Sequence, residues 1–538
     1  MKKIQTPTSD NRHASDAAVI SLGGRFLTFV GRTMYMARFG TANAFLNAFA
    51  FAIQVPNVIF TVVNSALVAV FIPVYNSLLA EENPTPIPNE AEQEFTSCGA
   101  GGIGGVTPIP NEAKKFIDNV ISISFVLLGI FVALGVAFAP LVSRLISGGE
   151  FTDPEHIAFL TFSLRILMPV MIFFGFGAIF TGLLQSHGSF RLPAFASAPG
   201  GIILIVYIIF FSDRFGVAGL VFATALGVLM QPVVLLPAVW RLGYRYKFAL
   251  DLRNKNVRAA GKLCIPIVIS AASYQMHFLF GHSVALQLNT TAVMDYAQQV
   301  VQVLILTIVY AIAAVYFPKL SVLWAKKAAN PASDAYNEVL RNAMLYVFFL
   351  VLPAASGVFI LRMEIMDFLL NFGDTAASGP DGIILAGNLM GAYSIGVIAI
   401  AFKEVADRAF YSEKDSVTPA IFGVLIMIVN ISVVFLLVGR FGAFAMPAAY
   451  GIAAIIGGGG LLFILHKRIK FVNLKFLGEL FKNILAVAIM MSAAFFVREA
   501  DFFDNRILGL ILPAIVGAVV YFAAAFALRI SALQALKK

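Results

Sequence analysis

The sequence predicts an all-α integral membrane protein with about fourteen membrane-spanning helices, and three observations predict it. Of the 538 residues, 59% are hydrophobic and only 12% are charged, against roughly 25% charged in a soluble globular chain. The apolar residues gather into runs long enough to span, since a helix needs about 20 residues to cross the hydrocarbon core. Lysine and arginine collect in alternate connections between the runs, the bias that orients a chain across a membrane. The runs are continuous, as in Val120–Pro140 and Ile507–Leu528, unlike the alternating segments of about 10 residues in a transmembrane barrel. Such a composition excludes an ordinary cytosolic enzyme, a disordered chain and a secreted disulfide scaffold. Cys98 and Cys264 are far apart and offer no metal-ligand spacing.

Residues 1–17 are polar and read as a cytoplasmic N-terminus. The first apolar run lacks a small-residue cleavage site, so it reads as an uncleaved span. The runs lie at 18–39, 45–75, 116–146, 157–186, 193–212, 215–241, 260–286, 292–324, 338–361, 382–410, 417–438, 441–466, 477–498 and 506–530. With the N-terminus inside, the connection after the sixth run is cytoplasmic and holds Arg241, Arg245, Lys247, Arg253, Lys255, Arg258 and Lys262. Lys319, Lys326, Lys327 and Arg341 follow the eighth run, Lys467, Arg468, Lys470 and Lys475 the twelfth, and Lys537-Lys538 end the chain. The opposite connections are cation-poor, with Arg144, Arg214 and Arg440 nearly alone in theirs. Both termini are therefore expected in the cytoplasm. The net charge of +9 mainly sets topology and does not point to nucleic acid. Residues 81–115 break the pattern: Thr85-Pro86-Ile87-Pro88-Asn89-Glu90-Ala91 recurs as Thr107-Pro108-Ile109-Pro110-Asn111-Glu112-Ala113 around a glycine-rich stretch. That composition reads as a duplicated, disordered insertion, with a partner-docking motif as the alternative.

Ionisable groups at membrane depth are costly and usually face a cavity or a partner. Arg25 and Arg32 are seven residues apart, about two turns, and share a face. They form a cationic stripe suited to an anionic ligand; an internal ion pair is the alternative, for which the early spans hold few carboxylates. Arg38, near the span end, reads as snorkelling to the interface. In the second span Asn47 and Gln54 share one face and Asn57 and Asn64 another, either as interhelical glue or as cavity lining. Pro56 is expected to interrupt that span, and broken helices line cavities in transporters. Asp118 and Asn119 open the third span, and Arg165 in the fourth has no local acid. His277 and His282 are five apart, off a common face and without an evident acidic partner, so no metal site is expected. Gln298, Gln299 and Gln302 lie in the eighth span. Lys403, Glu404, Asp407 and Arg408 can pair at i,i+4, either as a solvated, self-neutralising helix end or as a gate. Gly457–Gly460 reads as close helix packing. No GxSxG, HExxH, Walker A or dinucleotide fingerprint is present.

A set of short segments now resembles a known family. In order they are Phe39-Gly40, Asn47-Ala48-Phe49, Val55-Pro56-Asn57, Phe71-Ile72-Pro73, Leu192-Pro193-Ala194-Phe195-Ala196, Tyr296-Ala297 and Phe317-Pro318-Lys319-Leu320-Ser321. Ala392-Tyr393-Ser394-Ile395-Gly396, Phe410-Tyr411-Ser412, Asp415 and Thr418-Pro419-Ala420 complete the set. Together with a basic connection dividing six spans from eight, they resemble the MurJ (MviN) lipid II flippases of the multidrug/oligosaccharidyl-lipid/polysaccharide exporter superfamily. The resemblance implies two pseudo-symmetric six-helix lobes around a cationic cavity, plus two C-terminal helices forming a groove for a polyprenyl tail. On this chain the lobes would be 18–241, with the insertion 81–115, and 260–466, joined by the basic cytoplasmic linker 242–259 and followed by 467–538. It further implies a transporter, not an enzyme, in the bacterial inner membrane. Such a protein moves a lipid-linked peptidoglycan precursor to the outer leaflet by alternating access for cell-wall synthesis.

Candidate substrate-binding residues on that reading are Arg25, Arg32, Asn47, Gln54, Asn57, Arg165 and Gln299. Lys403, Glu404, Asp407 and Arg408 are the gate candidates. No cofactor or metal is expected, with coupling to membrane potential or a monovalent ion left open. The expected partners are the lipid-linked saccharide and membrane lipid, not nucleic acid, and the chain is expected to be monomeric. Four departures reduce the cavity's charge. Gly31 stands where the family pattern has its second arginine, one residue before Arg32. Asn47 replaces an acid, Phe60 and Thr61 replace paired cations, and Gln298-Gln299 replaces Asp-Arg. A flippase for another lipid-linked oligosaccharide or polysaccharide therefore stays open. So does a cation-coupled small-molecule exporter, which would predict twelve spans and an acidic ion site.

Overall fold

The computed structural model describes residues 9–82, 111–187, 189, 191–251, 255–329, 334–371, 378–413, 415–500 and 505–535. Nearly all of them are helical. The N-terminal half holds α1 (Ser9–Phe39), α2 (Ala44–Glu82), α3 (Asn111–Ile146), α4 (Pro154–Leu167), α5 (Val170–Ser186), α6 (Arg191–Phe195), α7 (Ala198–Phe210) and α8 (Ser212–Arg241). Next come α9 (Lys255–Gln287), α10 (Thr291–Val301), α11 (Thr307–Ala329), α12 (Ala335–Ile360), α13 (Arg362–Leu370) and α14 (Gly379–Ser412). The last are α15 (Val417–Phe441), α16 (Ala445–Ile469), α17 (Leu474–Glu499), α18 (Arg506–Ala527) and α19 (Ser531–Ala535).

Every expected span falls on a helix or a helix pair, and eleven segments among the described residues are long and apolar enough to cross a membrane. One of the eleven, Val417–Ile469, holds two expected spans, α15 and α16, across the 3₁₀ turn Gly442–Phe444. The expected spans at 18–39 and 260–286 fall on α1 and α9, which are not among the eleven. Arg25, Arg32 and Arg38 make the second half of α1 less apolar than its neighbours. The fold is therefore a polytopic all-α membrane fold whose crossings are not fixed at fourteen.

α1 begins at Ser9, so part of the polar N-terminal stretch is helical. Two local expectations are corrected. α2 passes through Pro56 without a break, and Pro56 is buried; neighbouring helices let a spanning helix tolerate the lost backbone donor. α3 starts at Asn111, so the end of the second repeat is helical, not part of the insertion. Glu112 sits in its first turn, where a negative charge suits the helix dipole, and pairs with Lys115 at 2.9 Å. Ala113 and Phe116 are already buried core residues. The rest of the repeat, with Lys2, Lys3, Arg253, Lys537 and Lys538, lies outside the described residues.

The chain divides into two compact units, one of Met1–Tyr35, Ala48–Gly148 and Thr152–Gln275, the other of Met36–Asn47, Gly149–Phe151 and Met276–Lys538. In the first, Phe116 and Ile117 of α3 meet Ile179 and Leu183 of α5 and Leu235 of α8. Farther along α3, Ile130, Leu134, Phe138, Leu141 and Leu145 turn outward, an apolar exposure that makes sense only against lipid. Pro169 separates α4 from α5. α1 packs on α7 through glycine: a Cβ at Gly24 would meet Ser197 Oγ at 2.5 Å, and one at Gly201 would meet the Thr28 backbone at 2.6 Å. Small residues let spanning helices approach this closely.

The connection after α8 is a strap, not a free linker. Asp118 accepts from the Tyr244 hydroxyl (2.6 Å) and the Lys247 amide (3.2 Å). Ser122 accepts from the Ala249 amide (3.1 Å), and Asn119 from the Asp251 amide (2.7 Å). The polar residues that open the third span are thus spent on backbone groups of the basic connection, while Arg245 and Lys247 stay exposed.

In the second unit α14 is the central helix. Gly396 faces Gly451 of α16, where an added Cβ would approach the Gly451 Cα at 2.9 Å. Gly457 and Gly460 admit Ile426 and Phe422 of α15, so the glycine run is close helix packing. α17 and α18 join α12 through Phe349, Val487, Met490 and Tyr521. The Tyr521 hydroxyl donates to the Phe349 carbonyl at 2.6 Å, the polar handle a buried tyrosine needs.

Candidate functional site

The cationic stripe belongs to α1. Gly24 and Gly31 make the face that packs on α7, and Arg25 and Arg32 each follow one residue later. Arg25 is exposed and forms no ion pair among the described residues; Arg32 is half-buried. Gln54 and Asn57 of α2 are half-buried, and the Asn57 carbonyl accepts from Thr61 Oγ1 at 2.7 Å. Arg165 is exposed in the last turn of α4, ahead of the Pro169 break. A cation there also suits the negative end of the helix dipole.

Asn47 is placed differently from the expectation that it binds substrate. It is fully buried. Its amide nitrogen donates to the Asn289 carbonyl (2.9 Å), Asn289 Oδ1 (3.0 Å) and the Asn43 carbonyl (3.1 Å). Its amide oxygen accepts from the Ala292 N–H at 2.7 Å. Thr290, the N-cap of α10, makes no side-chain cap, so Asn47 supplies that cap from another helix. Asn289 has φ of 52°, the left-handed region that asparagine tolerates better than most residues, and its side chain donates back to the Ala42 carbonyl (3.1 Å). The Thr41 amide donates to Ser378 Oγ at 3.2 Å. Asn47 therefore bolts two turns together.

The expected i,i+4 pairs on α14 form. Lys403 Nζ lies 2.6 Å from Asp407 Oδ2, and Arg408 lies 4.0 Å from Glu404. Lys403 and Asp407 are only 8% and 7% exposed, so the solvated helix end is corrected to a buried ion pair. Its burial follows from the glycine face of α16, since Gly458 sits against Ala399 and Lys403. Asp407 Oδ1 is buried with no hydrogen-bond partner among the described residues. Arg408 rests over the Phe317 ring at 5.9 Å.

Beyond α14 the segment carrying the strongest family resemblance closes on itself. Arg468, from the end of α16, donates to Asp415 Oδ2 (2.8 Å) and Thr418 Oγ1 (3.2 Å) and lies over the Phe410 ring at 5.1 Å. Burial pushes the Asp415 carboxyl up, but hydrogen bonds from the Thr418 amide and hydroxyl and from Arg468, with the Arg468 charge, outweigh it and bring it down to about 2.

Two cavities complete the second unit. A small polar one of about 30 Å³ is lined by His277, His282, Gln298, Tyr393, Asn430 and Tyr450, among others. Both histidines reach it, although their spacing argues against one face. His282 also has the acidic partner that the sequence did not reveal: its Nε2 lies 3.3 Å from Asp295 Oδ1. The signal was there, since His282 and Asp295 stand seven residues before and six after Asn289, at matching heights of a helical hairpin. Gln299, next to Gln298, is half-buried and precedes the π-helical turn Gln302–Leu306; such turns often mark functional positions. The second cavity, about 360 Å³, is an apolar groove of α12, α17 and α18 lined by Leu350, Pro353, Leu361, Met490, Pro513 and Tyr521.

A family model described as "Lipid II flippase MurJ" matches residues 36–516. A probable lipid II flippase MurJ of Rhizobium meliloti is 23% identical over 96% of this chain and 94% of that protein. The lipid II flippase MurJ of Burkholderia cenocepacia is 22% identical over 66% of this chain and 69% of its own length. Among solved structures, a lipid II flippase MurJ in an inward closed conformation superposes with a TM-score of 0.75 at 20% identity, covering 95% of this chain and 98% of that one. An inward-facing multidrug resistance MATE family transporter of the MOP superfamily superposes at 0.62 and 14% identity, covering 84% and 98%. At these identities the structural likeness speaks to fold.

Proposed function

The chain belongs to the MurJ lipid II flippase family, and on that premise we propose that it moves lipid II from the cytoplasmic to the outer leaflet of the bacterial inner membrane. The carrying observation is Arg25, an exposed cation on a helix held tightly to its neighbour by glycine, with Arg32 two turns on. Pyrophosphate is recognised by charge-assisted hydrogen bonds, which guanidinium geometry suits. The apolar groove of α12, α17 and α18 fits an isoprenoid tail that stays in the bilayer while the headgroup crosses. Alternating access is the mode this reading takes. The termini are cytoplasmic, the working unit is a monomer, and the energy comes from membrane potential or a monovalent ion without a bound cofactor.

The test is complementation of a flippase-depleted bacterial strain combined with a lipid II accessibility assay on its spheroplasts. Wild type is expected to restore growth and outer-leaflet lipid II; the Arg25→Ala/Arg32→Ala double variant, expressed at normal level, is expected to do neither. Intact complementation by the double variant overturns the role of the stripe. A second reading, a different lipid-linked saccharide, is favoured by Gln298 and Gln299 standing where the family pattern has Asp-Arg. It predicts growth failure with wild type and transport of a lipid-linked saccharide lacking the peptide.

A further inference from the structure

The strap that follows α8 presents a surface that transport does not use. Its backbone is spent on α3: the amides of Lys247, Ala249 and Asp251 donate to Asp118, Ser122 and Asn119. The Tyr246 hydroxyl lies 2.9 Å from Ser122 Oγ, and Tyr244 is buried in the core with Phe116, Ile179 and Leu235. A segment pinned in this way holds its other side chains outward. Arg241, Arg245 and Lys247 are exposed and form no ion pair among the described residues. Beside them Trp240, Phe248 and Leu250 are each at least half exposed. Open cations interleaved with large apolar side chains on an ordered segment mark an interaction surface. Its depth follows from α3. The continuous apolar run there begins at Val120 and ends at Pro140, about the 20 residues that cross the hydrocarbon core. Asp118, Asn119 and Ser122 therefore stand at one edge of the hydrocarbon, and the strap bonded to them lies in the headgroup layer. In that layer tryptophan and tyrosine rings settle and basic side chains meet lipid phosphates.

We infer that residues 240–250 form a docking surface for anionic phospholipid. Arg241, Arg245 and Lys247 take the phosphates, and Trp240, Phe248 and Leu250 dip toward the acyl boundary. The charge bias among the connections puts this surface on the cytoplasmic side, where the leaflet is negative. A signal for orientation needs only charge on an unfolded connection during insertion. It does not require that α3 hold those charges in one shape, nor that apolar side chains stand exposed between them. Both are what a lipid surface requires, since binding there sums buried apolar area and attraction to anionic headgroups. The surface stands on its own geometry and does not depend on the flippase reading.

The sequence holds two tryptophans, Trp240 and Trp324, so Trp324→Phe leaves the strap's own as the sole reporter. This variant of the full chain is placed in phosphatidylcholine nanodiscs that contain a minor fraction of brominated phosphatidylglycerol or, in parallel, of brominated phosphatidylcholine. Bromine quenches tryptophan fluorescence on contact. Phosphatidylglycerol is expected to quench Trp240 as though enriched roughly fivefold, the worth of one cation at an anionic surface. Raising the salt is expected to shrink that preference. Arg241→Gln/Arg245→Gln/Lys247→Gln is expected to bring the two lipids level while the unfolding midpoint stays in place. Arg214→Gln, at the other end of α8, is expected to keep the preference. Asn119→Ala/Ser122→Ala unpins the strap without touching its charges and is expected to lose most of it. Equal quenching by the two lipids in the parent overturns the proposal, and so does a preference that survives the triple glutamine variant or the unpinned one. A Trp240 that neither lipid quenches also overturns it, and shows the strap covered by protein. No arm of the test uses lipid II, so a failure of the flippase reading leaves this outcome standing.

Discussion

Charges on α1 and on α14 are handled in opposite ways. On α14 Lys403 and Asp407 neutralise each other at 2.6 Å with side chains about 10% exposed. On α1 Arg25 is exposed and forms no ion pair among the described residues, one residue past the glycine that holds α1 to α7. The deciding difference is whether a carboxylate stands four residues on. A cation neutralised by its own helix serves the packing around it. A cation left open on its helix is available to an anion from outside the chain.

Predictions from this contrast run from large to small. Arg25→Ala is expected to abolish complementation while leaving unfolding within about 0.5 kcal/mol of wild type, the usual range for exposed substitutions; Arg38→Ala is expected to complement. A marked loss of stability in Arg25→Ala would make it a packing residue and erase the contrast. Lys403→Ala is expected to cost roughly 3 kcal/mol, because Asp407 is left buried without its partner. Lys403→Met/Asp407→Leu is expected to recover most of that in thermal unfolding. If the double variant is as stable as wild type but inactive, the pair works as a gate. Asn47→Ala is expected to cost about 1–3 kcal/mol by stranding the Ala292 amide. Asn47→Asp, which keeps the acceptor and loses the donor to Asn289, is expected to fall between the two.

The smallest effect is at Asp415. Its carboxyl is held down to about 2 by Thr418 and Arg468, below the ordinary range near 3.9. A depressed acid stabilises the fold above its unfolded value and loses that as pH falls toward the folded one. Arg468 is 43% exposed, so solvent screening leaves on the order of 1 kcal/mol. Asp415→Asn is expected to lower the unfolding midpoint at neutral pH, with the difference closing between about pH 4 and about pH 2.

Much of the fold was legible because lipid imposes a one-dimensional rule: long apolar runs separated by charge. Hence the spans fell on helices throughout, and the i,i+4 spacing of Lys403 and Asp407 foretold their pairing. Pro56 misled, because breaking a helix depends on whether neighbours satisfy the strained backbone. The repeat ending in Ala113 misled in the same way, since composition cannot see that Asn111-Glu112-Ala113 docks on a core. Among the candidate site residues, Arg25 was readable as a charge without a nearby acid. Asn47 was not readable as a helix cap for α10, because its partners Asn289 and Ala292 lie more than 240 residues away.

By itself the sequence determined that lipid is the solvent, which runs are helices and which charges have a partner within a turn, since all of these are short-range consequences of hydrophobicity and helical spacing. Only the tertiary structure decided that Lys403–Asp407 is buried, that Asn47 is a bolt and that His282 has Asp295. Burial and cross-helix pairing depend on which faces meet, and the glycines that let those faces meet carry no chemical signature of their partners.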